Sequence, residues 1–125
     1  MLTDPVKRVM QHNELVTIGT AWAGGPHLVA VWMSYIETID DQTLAIPAGG
    51  YRHTEENLKA GSPIQLVMAT LQEEGVHGPG LGFRLTGSGR VDTEGPIYER
   101  VVQRFPWARG ALVVTLEKVE QIAGA

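Results

Sequence analysis

The sequence predicts a mainly β protein, an antiparallel barrel of six strands with short flanking helices. Two observations carry this expectation. Segments rich in Val, Ile, Leu and Thr recur at close spacing, separated by turns that contain Gly, Pro and Asp. The helical patterns between them are few and too short to act as crossovers, which a parallel sheet needs between successive strands.

Asp4 reads as an N-cap and Pro5 as the first helical residue, with Val6, Val9 and Met10 repeating at helical spacing to about His12. Leu15 to Trp22 reads as the first strand, Ala23-Gly24-Gly25-Pro26 as a tight turn, and His27 to Ile36 as the second strand of a hairpin. Asp40-Asp41-Gln42 turns the chain into a third strand, Thr43 to Ala48, which ends at Gly49-Gly50. Thr54 is placed to cap a short helix that runs through Asn57 and Leu58 to Ala60 and stops at Gly61-Ser62-Pro63. Ile64 to Leu71 forms the fourth strand, Gln72 to Gly80 a loop, and Leu81 to Val91 the fifth strand, in which Gly82, Gly87 and Gly89 suggest bends or bulges. Gly95-Pro96 opens a last helix with Ile97, Val101 and Val102 on one face, and Gly110 to Val119 forms the sixth strand.

With 125 residues, the chain is expected to form one domain over residues 1–125; 43% hydrophobic residues against a net charge of −4 allow it a core. The ten Lys and Arg are scattered without a basic run, so nucleic acid is not an expected partner. Without cysteine there are no disulfides, thiolate metal sites or iron–sulfur ligands, and any redox role depends on a borrowed cofactor. There is no basic leader, and the longest apolar run, Leu28 to Met33, is far short of the roughly 20 residues of a membrane span. No membrane association and a cytoplasmic location are expected.

His12, His27, His53 and His77 show neither HxH nor HExxH spacing, so no metal site is expected. Gly78-Pro79-Gly80-Leu81-Gly82 does not open a long helix as a dinucleotide fingerprint does, and no GxSxG nucleophile elbow occurs. No catalytic residue is assigned. The most informative stretch runs from Gly49 to Leu58. Two glycines let a backbone approach a ligand, and Arg52, His53 and Thr54 arrive where a helix begins, which suits an anion such as a phosphate. The same residues also read as an ordinary glycine turn and N-cap, in which Glu55 and Glu56 already complement the helix dipole. Trp32 and Tyr35, three apart in a strand pattern, should point to opposite faces unless a bulge intervenes. Trp107 follows Phe105-Pro106, where a rigid aromatic can either pack or cover a planar ligand.

These residues, together with Gly25-Pro26-His27-Leu28-Val29, Ser34-Tyr35, Pro47, Gly78-Pro79-Gly80, Gly82-Phe83 and Trp107-Ala108-Arg109, give a chain that resembles the FMN-binding split barrels of the pyridoxamine-phosphate-oxidase-like family nearly end to end. The resemblance implies a six-stranded split barrel, a homodimer, and one flavin mononucleotide (FMN) per subunit near the interface. It implies that Trp32, Tyr35 and Trp107 flank the flavin ring, that Pro47, Ala48, Gly49 and Gly50 lie against it, and that His53 and Thr54, with Arg52 beside them, hold the phosphate. Ile122 and Ala123 would cover the flavin of the partner subunit. His53 stands where the family has a lysine, and Ala30 and Val31 stand where it has hydrogen-bonding side chains near the phosphate. The implied function is electron transfer through FMN with a further redox protein as partner. A flavin-dependent reductase and a split barrel that binds haem or another planar ligand are the alternatives.

Overall fold

The structure, a computed structural model, describes residues 1–125. It contains three α-helices, α1 (Asp4–Met10), α2 (Arg52–Lys59) and α3 (Pro96–Arg104), and seven strands. The strands are β1 (Leu15–Trp22), β2 (Gly25–Trp32), β3 (Glu37–Asp40), β4 (Thr43–Ala48), β5 (Ile64–Gly75), β6 (Gly78–Asp92) and β7 (Gly110–Ala123). They form one antiparallel sheet in the order β2-β1-β5-β6-β7-β4-β3, the split-barrel arrangement the residues and the resemblance led us to expect, with one strand more than predicted. No helix is long and apolar enough to cross a membrane.

The extra strand comes from a break in the predicted second strand. Met33–Tyr35 forms a 3-10 turn, fastened by the Met33 N–H on the Glu14 carbonyl (2.9 Å) and the Ser34 N–H on the Asn13 side-chain oxygen (3.0 Å). Met33 is buried, so the turn is held from the core side as well. The chain leaves β1 there, and β3 pairs instead with β4 at the other edge of the sheet.

A second correction concerns Gln72 to Gly80, expected as a loop. β5 and β6 continue through it to a two-residue turn at Val76-His77, with Gly75 opposite Gly78. Its charge is accommodated by α1. Glu73 accepts a hydrogen bond from His12 (2.7 Å) and pairs with Arg8 (3.4 Å), so a polar sequence occupies a strand. Helix starts also differ by a few residues. Thr3, not Asp4, is the N-cap of α1, and α2 begins at Arg52 behind Tyr51 rather than at a Thr54 cap.

β5 alternates strictly, burying Ile64, Leu66, Met68 and Thr70 and exposing the residues between them, as a strand with one wet face must. β4 and the first half of β7, Gly110 to Leu116, instead bury nearly every residue. Leu44, Ile46, Leu112, Val114 and Leu116 enter the barrel core, whereas Ala45, Ala111 and Val113 pack on Val101 of α3 and on Ala108. The continuous apolar runs of these two strands are therefore those of strands covered on both faces. Register shifts occur at Gly82 and at Gly87, as the glycines suggested. Gly89 pairs regularly with Val114 and leaves room for Leu58 of α2.

A Cβ at Gly87 would run into the Thr115 carbonyl oxygen, a backbone atom that cannot swing away. Gly87→Ala is expected to destabilise the fold by about 1–3 kcal/mol through overpacking. A denaturant midpoint equal to that of the wild type would contradict this.

Candidate functional site

Ala30, Val31, Trp32, Tyr35, Pro47, Gly49, Gly50 and Trp107 converge with Leu15 and Tyr51 on one open cleft of about 280 Å³. β2 delivers Ala30 to Trp32 at its end, β4 delivers Pro47, and Leu15 lies opposite Trp32 in the β1–β2 register. The 3-10 turn resolves the expected conflict between Trp32 and Tyr35. It rotates the chain between them, so both side chains face the same cleft.

Behind the cleft the aromatic rings support one another. Tyr35 packs on Phe105 with centroids 5.0 Å apart, and Trp107 stands 5.6 Å from Phe105 and 6.2 Å from Tyr35. Arg104 lies over Phe105 at 4.7 Å and donates to the Ser34 carbonyl (2.6 Å), which ties the end of α3 to the 3-10 turn. A Cβ at Gly49 would stand 3.0 Å from the Trp107 ring, so a side chain there would press the ring outward by a few tenths of an ångström, and glycine lets it sit close to the strand end. Trp32 and Trp107 remain about half exposed. None of the side chains lining the cleft is Asp, Glu, His, Lys or Arg.

Tyr51 links this cleft to α2. It is the single non-glycine residue with positive φ (φ 59°, ψ 31°), a conformation unfavourable for L-residues. Its hydroxyl donates to the Ala30 carbonyl (2.7 Å), which holds the turn closed across the cleft. As N-cap it provides no side-chain cap, and the first intrahelical bond is that from the Glu55 N–H to the Tyr51 carbonyl (2.9 Å). The N–H groups of Arg52, His53 and Thr54 thus point out of the helix start without helical partners. Thr54 is 1% exposed, and its hydroxyl has no hydrogen-bond partner. α2 is seated by Asn57, whose side-chain amide donates to the buried Thr20 hydroxyl of β1 (3.0 Å).

The other expected site residues are placed as follows. The His53 ring turns toward the end of the β1–β2 hairpin, 4.2 Å from His27 and 4.9 Å from Trp22, centroid to centroid. Arg52 is exposed and unpaired. Ala48 lies behind the cleft with its side chain buried and its carbonyl bonded to the Arg109 N–H (2.8 Å). Ile122 and Ala123 sit away from the cleft at the end of β7, where Ala123 is opposite Gly82.

Reading the sequence alone gave no site role to three residues, Leu15, Tyr51 and Arg109. Arg109 donates to the Gly50 carbonyl through Nε (2.9 Å) and Nη2 (2.6 Å) and pairs through Nη1 with Glu55 (3.0 Å). Its contacts are long-range, and no local pattern announces them. Tyr51 follows directly on the Gly-Gly pair, and that adjacency is the one signal that pointed to it.

Comparison with known proteins bears on the family and the fold. The family model for pyridoxamine 5'-phosphate oxidase matches residues 2–123. A curated relative, an FMN-binding protein of Nitratidesulfovibrio vulgaris (strain Miyazaki F), is 36% identical over 121 residues, which are 97% of this chain and 98% of the relative. Among solved structures, HupZ of Group A Streptococcus superposes with a TM-score of 0.80 at 19% identity, over 98% of this chain and 94% of that one. An FMN-binding protein from Syntrophomonas wolfei superposes with a TM-score of 0.72 at 18% identity, over 97% and 86%. At these identities the solved structures speak for the fold.

Burial pushes the Tyr51 phenol above its ordinary pKa of about 10. The folded state favours the neutral phenol, so this contribution to stability is complete below about pH 10 and is lost as pH rises through the raised folded value. Tyr51→Phe is expected to cost about 1 kcal/mol at neutral pH, from the lost bond to Ala30, and to remove that alkaline decline. Denaturant midpoints at neutral and alkaline pH check both; parallel alkaline losses in the two proteins would refute the assignment.

Proposed function

The chain belongs to the pyridoxamine 5'-phosphate oxidase family, and on that premise we propose that its cleft holds FMN near the contact of two copies of the chain and that the protein carries electrons through it. The observation that carries this reading is the buried, unpartnered Thr54 hydroxyl beside three free N–H groups, directly next to an uncharged aromatic cleft. Leaving a buried hydroxyl unpaired costs about 1–3 kcal/mol, which a phosphate oxygen at this position offsets. The relative's name as an FMN-binding protein supports the same ligand.

The residues divide the work. Trp32, Tyr35 and Trp107 offer apolar faces to the ring system and exclude water from it, while Gly49 and Gly50 let the backbone come close. The free N–H groups of the α2 start and the Thr54 hydroxyl hold the phosphate, and the helix dipole adds to the attraction. Arg52, the first residue of α2, supplies positive charge at that end, and His53 follows it. The bound flavin supplies the redox chemistry. No carboxylate, imidazole or amine lines the cleft, whose titratable side chains are the phenols of Tyr35 and Tyr51, and this favours a carrier over an enzyme that turns over a second substrate.

A second copy completes the site in this reading. The cleft, about 280 Å³, falls just below the roughly 300–1,000 Å³ of sites that enclose a small ligand. One chain therefore leaves part of a flavin uncovered. Leu15, Leu28, Trp32, Val67 and Leu71 are exposed together on the outer face of β2, β1 and β5, an apolar surface suited to burial against another copy. Ile122 and Ala123, held at the end of β7, would then face the partner's flavin.

Titration of the purified protein with FMN, followed by quenching of flavin fluorescence, tests the reading. We expect saturable binding, a loss of about tenfold or more in affinity in Thr54→Val from removal of a charge-assisted bond, and a shifted midpoint potential in flavin-loaded Trp32→Ala. A colourless protein that fails to quench FMN overturns the proposal.

A further inference from the structure

We propose that Arg109 is a positioning residue that makes the site select a phosphorylated flavin over the unphosphorylated one; the inference rests on the FMN reading above. Arg109 immediately precedes β7, and its guanidinium spans from the Gly49-Gly50 turn to the first turn of α2. It acts on both elements that would otherwise oppose an anion there.

The first is a carbonyl. Gly50 immediately precedes the N-cap Tyr51, so its oxygen lies one residue before the carbonyl that starts the helical bonding of α2. Two guanidinium N–H groups engage that oxygen, at 2.6 and 2.9 Å, in the fork geometry that arginine alone provides. The turn is thereby fixed with its carbonyl directed at Arg109, and the N–H groups that follow it need no other partner from this strand end.

The second is a carboxylate. Glu55 stands in the first turn of α2, where a negative charge competes with a phosphate for the same positive helix end. Arg109 Nη1 lies 3.0 Å from Glu55 Oε1, and the two side chains are only 20% and 17% exposed, so this pairing is poorly screened. Lys59 also approaches Glu55 (3.5 Å), yet it is 76% exposed and compensates weakly. Neutralisation of Glu55 thus falls to Arg109. Without it, the helix start would present an unpaired anion beside the phosphate site while the aromatic cleft, which Arg109 does not line, stayed intact.

The test compares affinities for FMN and for riboflavin in the full-length protein. Arg109→Gln is expected to weaken FMN about tenfold or more while changing riboflavin by no more than about twofold, and Arg109→Lys to fall between. Adding Glu55→Gln to Arg109→Gln is expected to restore most of the lost FMN affinity, because the uncompensated carboxylate is gone. Glu55→Gln alone keeps Arg109 and is expected to raise the preference for FMN, which keeps the idea testable if Arg109→Gln folds poorly. An equal loss for both flavins in Arg109→Gln, or an unchanged preference in Glu55→Gln, overturns the inference. A wild-type protein that binds neither flavin overturns the FMN reading itself.

Discussion

The antiparallel pairing of β4 with β7 is the constraint on which the rest of the structure depends. Six consecutive pairs run from Thr43 opposite Thr115 to Ala48 opposite Gly110. Because both strands are covered on both faces, by the barrel core and by α3 with Ala108, a slip of register would place side chains of one packed layer in the other. The pairing brings Ala48 and Gly110 side by side. The segments that adjoin them, Gly49 to Tyr51 on one strand and Trp107 to Arg109 on the other, have to be neighbours. The candidate site is what those two segments make of that proximity.

Within it, strain and support are matched. Tyr51 in the left-handed region costs about 1–2 kcal/mol, and it persists because its hydroxyl is anchored on β2 while its carbonyl starts the helical bonding of α2. Trp107 stands against Gly49 and is backed by Phe105, which in turn carries Arg104. The cleft walls therefore come from β1, β2, the 3-10 turn, β4 with the turn that follows it, and the segment after α3, held by side-chain contacts over long sequence distances. Such a site is preorganised by tertiary structure rather than by any one loop.

Much of this was legible in the sequence where local physics dominates. β1 and β4 run between the residues where turn-forming glycine and aspartate placed them, and the cleft residues named by resemblance do meet. The misreadings share a cause. His27 to Ile36 looked like one strand because its apolar run reaches Tyr35-Ile36 without a glycine or proline, whereas Met33 and Ser34 bond to Glu14 and Asn13 just ahead of β1 and bend the chain. Gln72 to Glu74 looked like a loop because they are polar, although Glu73 is paired with α1. Arg109 was invisible for the same reason. Its partners, Gly50 and Glu55, lie more than fifty residues away.

The two edges of the sheet have a consequence for how the molecule meets other proteins. One edge strand, β2, carries Pro26 near its start; the other, β3, has four residues, a register irregularity before Asp40, and acidic residues at both ends. Proline, brevity, bulging and charge all discourage growth by addition of strands, the route by which exposed sheets turn into fibrils. The tacky surface of this barrel is its broad side, and its rims are blunted. Strand addition is thereby disfavoured at both rims, and the apolar flank is kept apart from any unpaired backbone that could template it.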